Sequence, residues 1–176
     1  PSDLYRYSDS EEPAYSVTIN GKKVEGDLEA NKGYLPVKNI KKGDVVRIHF
    51  DMPVRTVVAN KQVKDDLGRV AVERGPLVYC AESVDNQGEP VLRAVVAKKP
   101  SFGLVNDYKI ANTESQNALP FTVVGITTDA QELEETANGI GVKPQKLMLI
   151  PYYAWNHRGA GQMNVWFVQN LSLLDK

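Results

Sequence analysis

YSVTINGKKVE, residues 15–25, predicts a β-hairpin. Apolar and polar side chains alternate from Tyr15 to Ile19, which is the period of a strand with one buried face. Asn20 and Gly21 then supply the two positive-φ positions of a type I′ turn, so the following residues can return antiparallel. The hairpin indicates a sheet built from short strands that pair in sequence order.

The rest of the chain continues in the same style. Val occurs 22 times and Leu 14 times, and β-branched side chains favour pleated sheets over helices. Short apolar runs with turn residues every 8–12 positions are typical of an antiparallel sandwich or barrel. We therefore predict an all-β fold, an antiparallel β-sandwich of jelly-roll type. The further predicted strands are residues 34–37 (an edge strand or bulge), 45–50, 54–59, 69–73, 77–81, 91–96, 121–127, 147–150 and 164–168.

Two features leave the local structure open. Residues 129–137 place Ala130, Leu133 and Ala137 on a thin helical stripe, and a solvated strand or a loop explains them equally well. Asn106-Asp107 is a turn signal between predicted strands.

Composition excludes several classes of function. The chain has 176 residues, of which 42% are hydrophobic and 24% charged, as in an ordinary globular domain. A net charge of −1 argues against nucleic acid as a partner, because phosphate binding requires basic surfaces. No run approaches the roughly 20 apolar residues of a membrane span, so we predict no membrane partner. The compartment stays open, with a periplasmic or secreted location as a working assumption.

The single cysteine limits nucleophile and metal chemistry. One cysteine forms neither an intrachain disulfide nor a multi-cysteine zinc site. Cys80 lies in a predicted strand, where we interpret it as a small buried hydrophobe. A nucleophilic role would need a nearby base, such as His49 or His157. We predict no catalytic residue, cofactor or metal in this segment.

Residues 151–159, PYYAWNHRG, form the densest group of side chains able to contact a ligand. Aromatic rings beside Arg and Asn can stack on sugars and hydrogen-bond their hydroxyl groups, but the same residue types build cores and interfaces. We expect the stretch to continue the preceding apolar strand, with its last polar residues near the rim. The roles left open are core, interface and glycan site. The candidate residues are Tyr152, Tyr153, Trp155, Asn156, His157 and Arg158.

An ordered series of short motifs resembles the C-terminal portion of glycoside hydrolase family 127, the β-L-arabinofuranosidase family. The resemblance covers nearly the whole chain, in the family's order. The motifs are KGDVV (42–46), DMPVR (51–55), DLGRVA (66–71), ERGPLVYC (73–80) and IPYYAW (150–155), followed by Arg158-Gly159 and Val165-Trp166.

The resemblance implies a parent enzyme with an (α/α)6 barrel followed by β-sandwich domains. In that family the barrel carries a cysteine nucleophile, a glutamate acid/base and a zinc ion held by Cys and Glu side chains. None of those positions matches this segment, since Cys80 falls in the family's Pro-Leu-Val-Tyr-Cys strand. The resemblance also implies that residues 1–64 are the remnant of a truncated middle sandwich and that residues 65–176 are the C-terminal sandwich.

Three functions follow as hypotheses. The first is a non-catalytic accessory region that supports the missing catalytic barrel or mediates homodimer contacts. The second is a carbohydrate-binding module that uses the aromatic stretch from Tyr152 to Arg158. The third is an independent enzyme, which would need a cleft with perturbed titratable groups.

Overall fold

A computed structural model describes residues 3–8, 14–24, 34–110 and 121–169. By its contacts the chain divides into two compact units, one made of Pro1–Ser10 with Val54–Lys176 and the other of Glu11–Pro53. The predicted all-β class is confirmed. The strands are β1 (Tyr5–Tyr7), β2 (Tyr15–Ile19), β3 (Lys22–Lys23), β4 (Val46–Phe50), β5 (Val54–Ala59), β6 (Arg69–Arg74), β7 (Leu77–Glu82), β8 (Ala94–Val96), β9 (Phe102–Ile110), β10 (Phe121–Thr136), β11 (Gly139–Pro151), β12 (Met163–Asn164) and β13 (Phe167–Val168).

Six strands of the larger unit close into a ring of pairings. The ring runs β6-β13-β8-β10-β11-β7 and returns to β6. Every pairing is antiparallel except the one between β13 and β8, which joins Val168 to Val95 in parallel. The remaining strands extend the ring, because β1 and β5 continue from β6, β9 lies along β10 and β12 lies along β7. The result is an all-β sandwich with mostly antiparallel strands.

Side-chain alternation in the ring produces two separate cores. The main core lies on the face that carries Val72, Tyr79 and Leu149, together with Phe167 from β13. The opposite face of β7 and β11 presents Cys80 and Ile150, which form a second cluster with Ile110 and Val123. Both faces of these strands are therefore buried, and the second cluster needs its own cover from outside the ring.

The smaller unit contains the hairpin that the sequence predicts. Asn20 and Gly21 have φ angles of 51° and 79°, and Ile19 pairs directly with Lys22. The Asn20 side chain also ties the turn to the loop before β4, where it donates to Asp44 Oδ1 at 2.8 Å and accepts from the Val45 N–H at 2.9 Å. The three strands lie in the order β3-β2-β4.

Residues 129–137 are not helical. Most of them belong to β10, which pairs with β11 from Ile126–Leu149 to Thr136–Gly139. Ala130 and Glu132 are buried while Asp129 and Gln131 are exposed. Burial therefore alternates with the period of a strand, which the helical spacing of the apolar residues did not indicate. Cross-strand pairing therefore overrides the helix-forming composition of this segment.

Several shorter predictions change in detail. Residues 91–93 form a 3-10 helix before β8, and residues 164–168 divide into β12 and β13. Tyr34 makes an isolated bridge, and residues 35–38 are not a strand. The turn signal at Asn106-Asp107 lies inside β9. There both Asn106 and Asp107 lie opposite the single residue Val124 of β10, and Asp107 has a φ of 55°. The signal therefore produces a β-bulge.

The two compact units bear on the predicted domain limits. The larger unit begins its continuous part at Val54 and also includes β1, which pairs with β5. The division at residues 64 and 65 stays a prediction. Among the described residues no helix is long and apolar enough to cross a membrane.

Candidate functional site

The aromatic stretch leaves the sheet immediately after β11. Pro151 ends the strand, and Tyr152–Ala154 form a single 3-10 turn. The expectation that residues 151–155 continue the strand is therefore wrong, and its alternation of buried and exposed side chains does not extend past Pro151. In the loop after the turn, Asn156 and Gly159 have φ angles of 67° and 88°, in the left-handed region.

This turn covers the second core. Ala154 is fully buried in it, and the half-buried ring of Trp155 packs against it. Tyr152 and Tyr153 stay 45% and 59% exposed. The rings of Tyr152 and Trp155 lie 6.0 Å apart at 42° to each other, so they do not form one flat surface. Asn156 and His157 are exposed at the tip of the loop.

Arg158 is not at the rim, as the sequence suggested, but inside the unit. Its guanidinium donates to both carboxylate oxygens of Asp85 at 2.5 Å and to Glu82 through Nη2. The side chains of Arg158, Glu82 and Asp85 are 5%, 4% and 1% exposed. Tyr108 on β9 donates its hydroxyl to Asp85 at 2.8 Å. We call these four residues the Arg158 cluster.

The Arg158 cluster shifts the pKa values of Arg158, Tyr108 and the neighbouring Cys80. Burial opposes the charge of Arg158, but hydrogen bonds to Asp85 and Glu82 raise its pKa overall. Burial, reinforced by the hydrogen bond to Asp85, raises the pKa of Tyr108 to about 12. Burial also raises the pKa of the neighbouring Cys80 thiol to about 12, and the charges of Glu82 and Asp85 act in the same direction.

The charged groups of the Arg158 cluster are paired with one another inside the unit. A cysteine nucleophile must ionise, whereas burial holds the pKa of the Cys80 thiol at about 12. Arg158 already engages both carboxylates, so Cys80, Glu82 and Asp85 do not fit a zinc site. Within the described ranges no group of three or more His, Cys, Asp or Glu side chains could hold a metal ion.

The sequence did not indicate Glu82, Asp85 or Tyr108 as partners of Arg158. Asp85 lies in a 3-10 helix, Ser83–Asn86, that follows β7. The one available signal is Glu82, a carboxylate that directly extends the apolar strand at residues 77–81. Such a charge needs a buried partner, but only the folded chain shows that the partner lies 76 residues away.

Two surface grooves of the larger unit lie elsewhere. Their volumes are about 490 and 420 Å³, and both are walled in part by Lys98 and Gln169. Neither is lined by any candidate residue of the aromatic stretch. The grooves therefore do not turn the exposed tyrosines into a cleft.

Comparisons with known proteins agree with this architecture. The model of the glycoside hydrolase family 127 C-terminal domain matches residues 54–168. The non-reducing end β-L-arabinofuranosidase of Bifidobacterium longum subsp. longum is 35% identical over 173 residues, covering 87% of this chain and 24% of that protein.

Solved structures give the same result. A family 127 β-arabinofuranosidase is 45% identical with a TM-score of 0.82, covering 98% of this chain and 26% of that one. A family 127 β-L-arabinofuranosidase from Geobacillus stearothermophilus T6 is 31% identical with a TM-score of 0.71, covering 89% of this chain and 25% of that one. The chain thus spans about a quarter of the length of these relatives. It belongs to glycoside hydrolase family 127, and residues 54–168 are the family's C-terminal domain.

Proposed function

We propose that these residues are a non-catalytic accessory region of a β-L-arabinofuranosidase-like glycoside hydrolase. The observation that carries the proposal is the Arg158 cluster, because the two carboxylates whose charges act on Cys80 are used for internal ion pairing. A glycosidase needs two carboxyl groups placed on either side of a substrate, or a nucleophile and an acid/base in their place. Side chains at most 5% exposed cannot reach a sugar.

On this proposal the reacting groups belong to the catalytic barrel of the parent enzyme. The family resemblance implies a cysteine nucleophile, a glutamate acid/base and zinc there. None of these roles is assigned to Cys80, whose pKa of about 12 keeps the thiol neutral. The accessory region acts by packing against the barrel or by forming homodimer contacts.

Tyr152 and Tyr153 are the surface that we assign to this packing. They are large and exposed, yet their turn is held in place because Ala154 and Trp155 pack in the second core and Arg158 binds Asp85. Tyrosine side chains have few rotatable bonds, so on a packed turn they lose little entropy on binding, which favours interface contacts. A carbohydrate-binding role for the same rings is an outcome that the test must separate.

The first test is the activity of the purified chain on aryl arabinofuranosides. We expect no release of chromophore. Turnover that stays with the chain through a second chromatographic step would contradict the proposal, whether or not it disappears in Cys80→Ala.

The second test addresses the tyrosines. In the full polypeptide that contains this chain, Tyr152→Ala with Tyr153→Ala should lower the thermal midpoint more than in the 176-residue chain. Leu92→Ala is the matched control, because Leu92 is an exposed apolar residue of the same unit. Saturable quenching of tryptophan fluorescence by arabinose oligosaccharides, lost in Trp155→Ala with the fold intact, would favour the carbohydrate-binding module instead.

A further inference from the structure

The chain contains the dipeptide Asn-Gly twice, and each copy lies at the turn of a β-hairpin. Asn20-Gly21 joins β2 to β3, and Asn138-Gly139 lies where β10 turns into β11. Both asparagines are exposed. A Cβ atom added at either glycine would meet no described atom within 4 Å. The two sites are therefore matched in sequence and in access, and they differ in what surrounds the asparagine side chain.

The Asn20 side chain is held at both of its polar atoms. Its Nδ2 donates to Asp44 Oδ1 at 2.8 Å, and its Oδ1 accepts from the Val45 N–H at 2.9 Å. The Asn20 N–H also donates to the Val45 carbonyl at 2.9 Å. The side-chain amide carbon of Asn20 therefore cannot move toward the next backbone nitrogen unless hydrogen bonds break.

The Asn138 side chain has no such restraint. Among the described residues none forms a hydrogen bond or an ion pair with it. The side-chain hydrogen bond at this turn runs from the Thr136 hydroxyl to the Gly139 carbonyl at 2.8 Å, and it involves neither the Asn138 amide nor the Gly139 nitrogen. The amide of Asn138 is therefore free to rotate about its side-chain bonds.

The backbone around Asn138 is also weakly supported. The pairing of β10 with β8 ends at Glu132, and from there to Thr136 the structure describes β11 as the only strand paired with β10. A ribbon of two strands is marginally stable in water and opens locally at low cost. The turn at Asn138 can therefore reach conformations that the folded hairpin does not hold.

We propose that Asn138 is a site of spontaneous deamidation, a covalent modification that consumes one water molecule and releases ammonia. The backbone nitrogen of Gly139 attacks the side-chain amide carbon of Asn138 and gives up its proton. The new C–N bond closes a succinimide ring, the bond to the side-chain nitrogen breaks, and ammonia leaves with that proton. Water then opens the ring at either carbonyl and yields aspartate or isoaspartate. Glycine favours the attack because it has no side chain and adopts many backbone conformations.

The modification changes the end of the β10–β11 hairpin in two ways. Either product adds a negative charge close in sequence to Glu134 and Glu135. Isoaspartate also lengthens the main chain by one methylene, which does not fit the two-residue loop that pairs Thr136 with Gly139. We expect the isoaspartate form to lose this pairing and the aspartate form to keep it.

Peptide mapping by mass spectrometry tests the proposal on the folded chain during incubation at pH 8. Asn20-Gly21 is the internal control, because the reacting dipeptide is the same. We expect the Asn138 peptide to gain aspartate and isoaspartate about tenfold faster than the Asn20 peptide, since cyclisation at Asn20 must first break its side-chain hydrogen bonds. In urea the two sites should react at similar rates, because the fold no longer distinguishes them.

Two variants separate the causes. Asp44→Ala removes one partner of the Asn20 amide, so it should speed deamidation of Asn20 and leave the rate at Asn138 unchanged. Asn138→Gln lengthens the side chain by one methylene, so ring closure should become slow and the acidic species should disappear from ion-exchange chromatography. Equal rates at the two asparagines of the folded chain, or a faster reaction at Asn20, would overturn the proposal. A difference in rate that persists in urea would overturn it as well, because the neighbouring sequence and not the fold would then set the rate.

Discussion

Replacing Arg158 with methionine should be among the most damaging single changes in this protein. Methionine retains much of the side-chain length but removes the charge and every hydrogen bond to Glu82 and Asp85. Those carboxylates are 4% and 1% exposed, so water cannot replace the lost partner. Breaking a buried ion pair from one side costs about 3–5 kcal/mol. We expect the free energy of unfolding to fall by about that amount at pH 7.

Urea unfolding followed by tryptophan fluorescence measures this loss. Arg47→Met is the matched control, because Arg47 is exposed on β4 and should change stability by less than about 0.5 kcal/mol. The triple variant Glu82→Gln, Asp85→Asn, Arg158→Met separates charge from packing. It removes both carboxylates as well as the guanidinium, so we expect it to regain more than half of the loss.

The pH dependence gives a second check on the same reasoning. In Arg158→Met the unpaired carboxyl groups should have pKa values above their unfolded values near 4. Groups with raised pKa values destabilise the fold once the pH exceeds the unfolded pKa. The loss of unfolding free energy in Arg158→Met relative to wild type should therefore become smaller as the pH falls from 7 toward 4. A loss of unfolding free energy below about 1 kcal/mol at pH 7, or a loss that grows as the pH falls, would refute the stabilising role of the Arg158 cluster.

Three further outcomes follow from neighbouring contacts. Tyr108→Phe should lower the free energy of unfolding by about 1.5–3 kcal/mol, because Asp85 loses a charged hydrogen bond; an unchanged urea midpoint would count against it. Cys80 should resist iodoacetamide at pH 8 in the folded chain and react in urea, because burial raises its pKa to about 12; rapid labelling of the native chain would contradict this. Hydrogen bonds from the Lys41 N–H and, second, from the Asn20 amide lower the pKa of Asp44. The contribution of Asp44 to stability is therefore present above the unfolded pKa of Asp44 and is lost as the pH falls through its folded pKa. Asn20→Ala should move the Asp44 titration, followed by NMR, to higher pH, and an unmoved midpoint would show that the side-chain contact does not form.

Local patterns predicted the parts of the fold that depend on neighbouring residues. The Asn20-Gly21 hairpin, β6 and β7 all follow from alternation and turn chemistry within about ten residues. The bulge at Asn106-Asp107 shows the limit of such patterns. Residues that tolerate positive φ can reverse a chain or bulge a strand, and only the partner strand decides which occurs.

The candidate site was predicted less completely because its partners are distant in sequence. Tyr152 to Arg158 stood out by composition, but Glu82 and Asp85 lie more than 70 residues earlier. The exposed tyrosines and the buried arginine of one short stretch face different surroundings, because the end of a 3-10 turn and the left-handed residue Asn156 lie between them. The expectation that the last polar residues of the stretch lie near the rim is therefore wrong for Arg158, whose side chain is 5% exposed.

The closed ring of strands also sets an order of events during synthesis. Phe167 completes the ring by pairing with Val70, and Val168 pairs with Val95. Until β13 has left the ribosome, β6 and β8 present unpaired edges, although the hairpin of β6 and β7 can already form. At about 5–20 residues per second the wait from Val70 to Phe167 lasts roughly 5–20 s. During that interval open edges are exposed to other nascent chains, so slower elongation within residues 70–167 should increase the demand for chaperones.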